Sequence, residues 1–230
     1  MSDTATAWTL LVSGDPKLWE VVRLSVLVSG AAVSLAALVG LPFGAALALT
    51  RFRGRDMVIV LVNAAMGLPP VVAGLVVFLL LSRSGPLGEF GLLFTPQAMV
   101  IAQALLVTPI IAALARQTVE DLWRLYRDEL DAMQVGMVGR VATLLWDARF
   151  SLVTALLAGF GRAAAEVGAV MIVGGNIAGY TRTMTTAIAL ETSKGDLPLA
   201  VGLGAVLIVL VTLANGAAWG LLRWAQVRYG

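Results

Sequence analysis

Five apolar runs, each long enough to cross a bilayer, constrain this chain more than any other feature. A helix needs roughly 20 apolar residues to span the hydrocarbon. The runs are 24–50, 57–81, 96–115, 151–173 and 199–222. The first carries no charge and is longer than required, so it should tilt or project from the bilayer. Of the 230 residues 59% are hydrophobic and 13% charged, with a mean hydropathy of +0.91. Soluble domains run about 45–50% apolar and about 25% charged. One buried core cannot absorb that excess, and too few polar side chains remain to coat a soluble surface. Only a polytopic all-α membrane protein fits.

Two absences narrow the chemistry. The chain has no Cys and no His. Disulfides, thiolate nucleophiles, iron–sulfur clusters and His- or Cys-ligated metals are therefore excluded. No catalytic, cofactor-binding or metal residues are assigned. The net charge of +2 does not point to nucleic acid. The N-terminus carries Asp3 and lacks the positive region of a signal peptide. Residues 1–20 are expected as an external segment, and no further cytoplasmic domain is expected after the last span.

The loops set the orientation. Arg51, Arg53, Arg55, Arg116, Arg124, Arg127, Arg140, Arg149, Arg223 and Arg228 fall on one side of a five-span chain. Lys17, Arg83, Arg182 and Lys194 fall on the other, with Arg23 at the edge of the first span. The positive-inside bias then puts the N-terminus outside and the C-terminus in the cytoplasm.

Small residues recur at spacing four: Gly40 and Gly44, Gly216 and Gly220, and the row Gly161, Ala165, Ala169. Such rows let helix backbones approach closely, within one chain or between copies. Pro69 and Pro70 stand in the middle of the second run, where two missing donors should kink or break the helix. Freed carbonyls at membrane depth must be satisfied by protein or by a water-filled cavity. The bend is thus either a packing kink or the lining of a pathway. Pro109 repeats the signal more weakly.

Arg162 and Glu166 are four apart on the fourth run and can pair. A charge there costs at least ~2.5–3.5 kcal/mol on insertion scales, so it should face an interior or water. The alternatives are a structural ion pair and a pathway-lining charge. An intramembrane catalytic pair lacks a second acid, a nucleophile or a metal.

Between the third and fourth runs, 116–150 is polar. Residues 120–136 mix charge with Leu122, Leu125, Leu130 and Met133 in an amphipathic pattern. A glycine turn, Gly136 to Gly139, leads to a second short helical stretch over 140–150. About 35 residues that keep Trp123, Tyr126 and Trp146 exceed what a linker needs. Such a connector would offer a knob to a soluble partner.

This segment resembles the cytoplasmic signature of the permeases of binding-protein-dependent ABC importers: a Glu-Ala-Ala-type triplet, three further residues, a glycine, then a helix. Here the triplet is Leu130, Asp131, Ala132 with Gly136, and Ala148 and Arg149 stand where Leu-Pro is usual. The runs 13–20 (SGDPKLWE), 67–74 (GLPPVVAG) and 161–176 (GRAAAEVGAVMIVGGN) are similar to the molybdate/tungstate branch. The run 181–196 (TRTMTTAIALETSKGD) resembles tungstate permeases in particular.

The resemblance spans about 13–225 and implies a type I ABC importer permease fold over 21–225. It implies a second copy of the chain, a cytoplasmic ATPase dimer and an external binding protein as partners. The stretch 129–146 would be the coupling helix, with Glu129, Asp131, Ala132, Gly136, Gly139 and Arg140 meeting the ATPase. No Gly-x-x-x-x-Gly-Lys-Ser/Thr loop is present, so ATP and Mg belong to the partner.

The cargo would be an oxyanion, most directly tungstate, crossing the cytoplasmic (inner) membrane. Alternatives are molybdate or another oxyanion, and, in a different class, a passive channel. Candidate path or gate residues are Gly67, Pro69, Pro70, Val71, Arg162, Glu166, Gly174, Gly175, Asn176, Thr181 and Arg182. The glycines permit tight turns, and Thr181 and Arg182 can donate to an oxyanion. Equally, Gly174 and Gly175 can be a plain loop turn, and Arg182 a solvated charge or a binding-protein contact.

Overall fold

A backbone placed in lipid must satisfy its own polar groups, so long apolar runs become helices. The structure, a computed structural model, describes residues 16–229. Most of the expected 1–20 segment and the first part of the 13–20 motif lie outside the described residues. All regular elements among those described are helical. They are α1 (Pro16–Leu49), α2 (Arg55–Met66), α3 (Pro70–Leu81), α4 (Pro96–Ala132), α5 (Met137–Asp147), α6 (Arg149–Ala164), α7 (Gly168–Gly174), α8 (Met184–Lys194) and α9 (Leu197–Tyr229), with a single 3-10 turn at Gly88–Phe90.

Among the described residues three helices are long and apolar enough to cross a membrane: α1, α4 and α9. The count rises to five if two bent pairs each make one span, α2 with α3 (101°) and α5 with α6 (78°).

The α1–α4 pair forms the spine. A Cβ on Gly40 would lie 3.1 Å from the Thr108 carbonyl oxygen, and one on Gly44 would run into the Ala112 carbonyl. Ala36 packs with Val107, and Ala45 and Ala48 with Val119. Residue numbers rise together along both helices, so α1 and α4 run parallel. Opposite numbering relates α4 to α6: Gln103 reaches Ala163, a Cβ on Gly159 would meet Val107, and Ala115 packs with Leu152. Leu18 and Val22 at the start of α1 pack with Met184 and Ala187 of α8 and Leu203 near the start of α9.

The helices differ from the runs at four points. The helix that opens with the third run does not stop where the run does at 115; α4 continues through the amphipathic residues to Ala132, because charge ends a membrane span but not a helix of good helix formers. The stretch 129–146 is therefore not one helix. Residues 129–132 finish α4, and a turn with Gln134 at φ 53° leads to α5. The fourth run is not one continuous helix either. It breaks after Ala164 and resumes at Gly168, since the Glu166 carboxylate replaces a helical acceptor for the Ala169 N–H. Finally, Gly161, Ala165 and Ala169 do not line one helix face. The break separates them, no atom beyond its own helix comes within 4 Å of a Cβ built on Gly161, and Gly159 and Ala163 make the close contacts.

Candidate functional site

The sequence-derived candidates fall into three places. The first is the junction of two interrupted helices. The double proline breaks the second run between Met66 and Pro70: neither proline can donate, so the Met66 carbonyl loses its usual partner. Pro70 opens α3 with Pro69 as its cap. The fourth run breaks at 165–167, and the two breaks meet. A Cβ on Gly168 would lie 3.0 Å from Val71 Cγ2 and 3.7 Å from Glu166 Oε1, and one on Gly74 would approach Ala169 Cα to 2.7 Å. Val71, just after Pro69 and Pro70, is thus brought against Gly168, two residues from Glu166, which sequence spacing alone does not reveal. Gly67, Pro69 and Val71 are exposed, the last at 58%.

Glu166 is 3% exposed and fully engaged. Its Oε2 accepts from Arg162 Nη1 at 2.9 Å, its Oε1 from the Ala169 N–H at 3.1 Å, and its carbonyl from Thr185 Oγ1 at 2.8 Å. Arg162 remains 32% exposed, and its other guanidinium N–H groups have no partner among the described residues. Gln103, absent from the sequence candidates, lies beneath. Its Nε2 donates to the Ala163 carbonyl at 2.9 Å, and its buried Oε1 has no partner among the described residues. The signal was present: the apolar run 96–115 carries two amides, Gln97 at its start and Gln103 well inside it. Thr185 and Ser25 were also missed. The Ser25 hydroxyl donates to the Val21 carbonyl and accepts from the Met184 N–H at 2.7 Å, tying α8 to α1.

The second place follows α7. Gly175 closes that helix with φ 71°, and a side chain there would strike the Phe94 ring at 2.9 Å. Asn176 continues in the left-handed region at φ 50°. The Thr181 hydroxyl is buried and committed: it donates to the Gly174 carbonyl at 2.6 Å and accepts from the Ile177 N–H at 2.9 Å. The expectation that Thr181 donates to an oxyanion is corrected for this conformation, because its one proton staples the turn. Arg182 donates to the Asn176 side-chain oxygen at 3.3 Å and to the Asn176 carbonyl at 3.4 Å. It also lines a cavity of about 210 Å³ with Arg23, Glu20 and Tyr180. The turn reading for Gly174 and Gly175 therefore describes them, while Arg182 retains access to a space that holds a second guanidinium.

The third place is the α4–α5 corner, at the opposite end of α4. Asp131 Oδ1 pairs with Arg140 Nη2 at 2.8 Å, and Arg127 adds a longer contact of 3.6 Å. Arg140 Nε donates to the Val135 carbonyl at 2.6 Å, and its guanidinium stacks 5.1 Å from the Trp123 ring centre. A Cβ on Gly139 would meet Val135 Cγ1 at 2.8 Å, whereas nothing lies within 4 Å of one on Gly136. Leu130 and Leu144 anchor the corner against Ala45, Ala48 and Val119. Its outer side is apolar and bare: Met133, Val138 and Trp146 are 74%, 84% and 67% exposed, and Glu129 and Ala132 are also exposed. A rigid, clamped corner with an exposed apolar face suits docking to another protein.

No family model matches the chain. Curated relatives do. It is 43% identical over 203 residues to a probable anion ABC transporter permease protein of Haloferax volcanii, covering 86% of this chain and 88% of that one. It is 39% identical over 215 residues to the tungstate uptake system permease protein TupB of Peptoclostridium acidaminophilum, covering 94% of each. It is 36% identical over 206 residues to TupB of Campylobacter jejuni, covering 90% of this chain and 86% of the relative. Permeases named for molybdenum match at lower identity.

Proposed function

Because the chain belongs to the ABC transporter permeases, inner-membrane proteins whose tungstate and anion branch it shares, we propose that it is the membrane subunit of an importer that carries an oxyanion, most directly tungstate, into the cytoplasm. The energy comes from ATP hydrolysed, with Mg, on a separate cytoplasmic chain.

The observation that carries the transport reading is the meeting of the two helix breaks. Irregular backbone at membrane depth is tolerated only against protein or a water-filled cavity. Gly67, Pro69 and Val71 nevertheless lie exposed on this single chain. A second copy facing this break would enclose it between subunits, and the Met66 carbonyl and Arg162 would then border water. High-affinity recognition belongs to the external binding protein, so this chain needs only a weak, gated path. Arg162 lines it, Glu166 holds the hinge, and Arg182 with Arg23 draws the anion or meets the binding protein at the mouth.

The helix directions support a reading of five spans. Parallel α1 and α4 are accounted for when the chain recrosses between them, with α2 and α3 as one broken span, and antiparallel α6 with α7 as the next. The basic loops then lie in the cytoplasm with the C-terminus, and the N-terminus outside. That puts the α4–α5 corner where an ATPase can hold it. Met133, Val138 and Trp146 would seat in its groove, while the Asp131–Arg140 clamp carries nucleotide-driven motion into α4.

The test is a pull-down of the full chain from its native membranes, with the ligand of the captured binding protein identified. A co-purifying ABC ATPase and a tungstate-loaded binding protein are expected. A molybdate-loaded partner would change the cargo and keep the machine; absence of any ATPase would remove it.

A further inference from the structure

The end of the bundle that carries the α4–α5 corner also holds a recess that the transport reading does not use. The loop 50–54 and the far part of α4 enclose about 380 Å³, lined by Arg51, Arg55, Arg124 and Arg127 against only two carboxylates, Glu120 and Asp128. Arg55 is pinned in place: its Nε donates to the Leu47 carbonyl at 2.9 Å, the last turn of α1. Glu120 is shared among three guanidinium groups, with Arg116 at 2.6 Å, Arg124 at 3.6 Å and Arg55 at 3.8 Å. Arg51 has no partner among the described residues, and Arg124 is 72% exposed. Arg127 also pairs with Asp131 at 3.6 Å and Arg55 lies 3.9 Å from Asp56, but four guanidinium groups line the recess against two carboxylates, and Arg51 among them is unpaired among the described residues.

We propose that this recess binds the phosphate headgroup of an anionic phospholipid. Arginine forks match phosphate oxygens geometrically, and basic pockets between membrane helices take acidic headgroups. A free phosphate offers the same oxygens, but the walls favour an amphiphile. The recess opens where the apolar part of α1 ends, Leu49 and Trp123 form its greasy side, and Phe52, 49% exposed, stands on the neighbouring loop. Aromatic rings of this kind settle at headgroup depth. An acidic protein segment is the weaker fit, since a recess of about 380 Å³ admits a headgroup more readily than a helix.

The proposal stands apart from cargo: failure of tungstate import would leave it intact, and its own failure would leave import intact. The full-length chain in neutral detergent is titrated by native mass spectrometry with phosphatidylglycerol, phosphatidylcholine and inorganic phosphate in turn. Phosphatidylglycerol should bind about tenfold or more tighter than phosphatidylcholine. The Arg51→Gln/Arg124→Gln double variant should lose about tenfold of that affinity. Arg51→Lys/Arg124→Lys should keep most of it, which separates loss of charge from loss of fold, and Arg83→Gln, far from the recess, should change nothing. Equal affinity for the two lipids, or undiminished phosphatidylglycerol binding in the double glutamine variant, would overturn the proposal. So would inorganic phosphate competing as well as the lipid, or a co-purified ATPase displacing it.

Discussion

Arg162 Nη1 lies 2.9 Å from Glu166 Oε2 across the end of α6, and the other oxygen of the same carboxylate holds the Ala169 N–H at the start of α7. One buried side chain thus joins both sides of a break in the membrane. A charge-assisted hydrogen bond is worth about 1.5–3 kcal/mol. Glu166→Gln keeps an acceptor for Ala169 and gives up the ion pair; Glu166→Ala gives up both. Unfolding midpoints in detergent should fall in the order wild type, glutamine, alanine, with the alanine variant losing about 1.5–3 kcal/mol. An alanine variant as stable as wild type would mean that the carboxylate does not hold the hinge.

Gly44 and Gly220 look alike in the sequence and differ in the fold. A side chain on Gly44 meets the Ala112 backbone, and nothing described lies within 4 Å of one on Gly220. Gly44→Val should therefore cost about 1–3 kcal/mol through overpacking. Gly220→Val should leave the monomer's thermal midpoint unchanged. Matching midpoints for the two variants would contradict the α1–α4 packing.

How far the sequence carries depends on whether a signal is local. The double proline announces its own break, because both missing donors belong to the residues concerned. The break after Ala164 has no such mark: Arg162, Ala163, Ala164 and Ala165 favour continued helix. It forms because the Glu166 carboxylate turns to Ala169 and Thr185, 19 residues on, takes the Glu166 carbonyl. Thr181 is legible as a donor, but its acceptor, the Gly174 carbonyl seven residues back, is assigned by the fold. Likewise, polarity marks where lipid ends near Arg116 but not where α4 ends, since helix formers continue to Ala132.

At the corner, Gly136 precedes α5 with φ −69° and ψ 166°, an extended geometry open to any residue, and its surroundings are empty. Gly136→Asp places a good N-cap there and should alter stability by only a few tenths of a kcal/mol. Uptake and transport-coupled ATP hydrolysis should nonetheless be abolished, because in the proposed docking the new charge would face the ATPase groove. Normal uptake by a correctly inserted variant would remove the corner from the coupling path.

Arg182 bonds only to Asn176 among the described residues, at 3.3 and 3.4 Å. Contacts that long contribute little to folding. Arg182→Ala should leave the unfolding midpoint within about 0.5 kcal/mol of wild type, yet slow uptake or weaken docking of the binding protein. Unchanged uptake and docking would take Arg182 off the path.

The most direct test is labelled tungstate uptake into proteoliposomes containing the full chain, its ATPase and its binding protein. Accumulation against a gradient is expected only with all three components and ATP together. Accumulation by the chain alone, without nucleotide, would contradict an ATP-driven permease and make it a passive conduit.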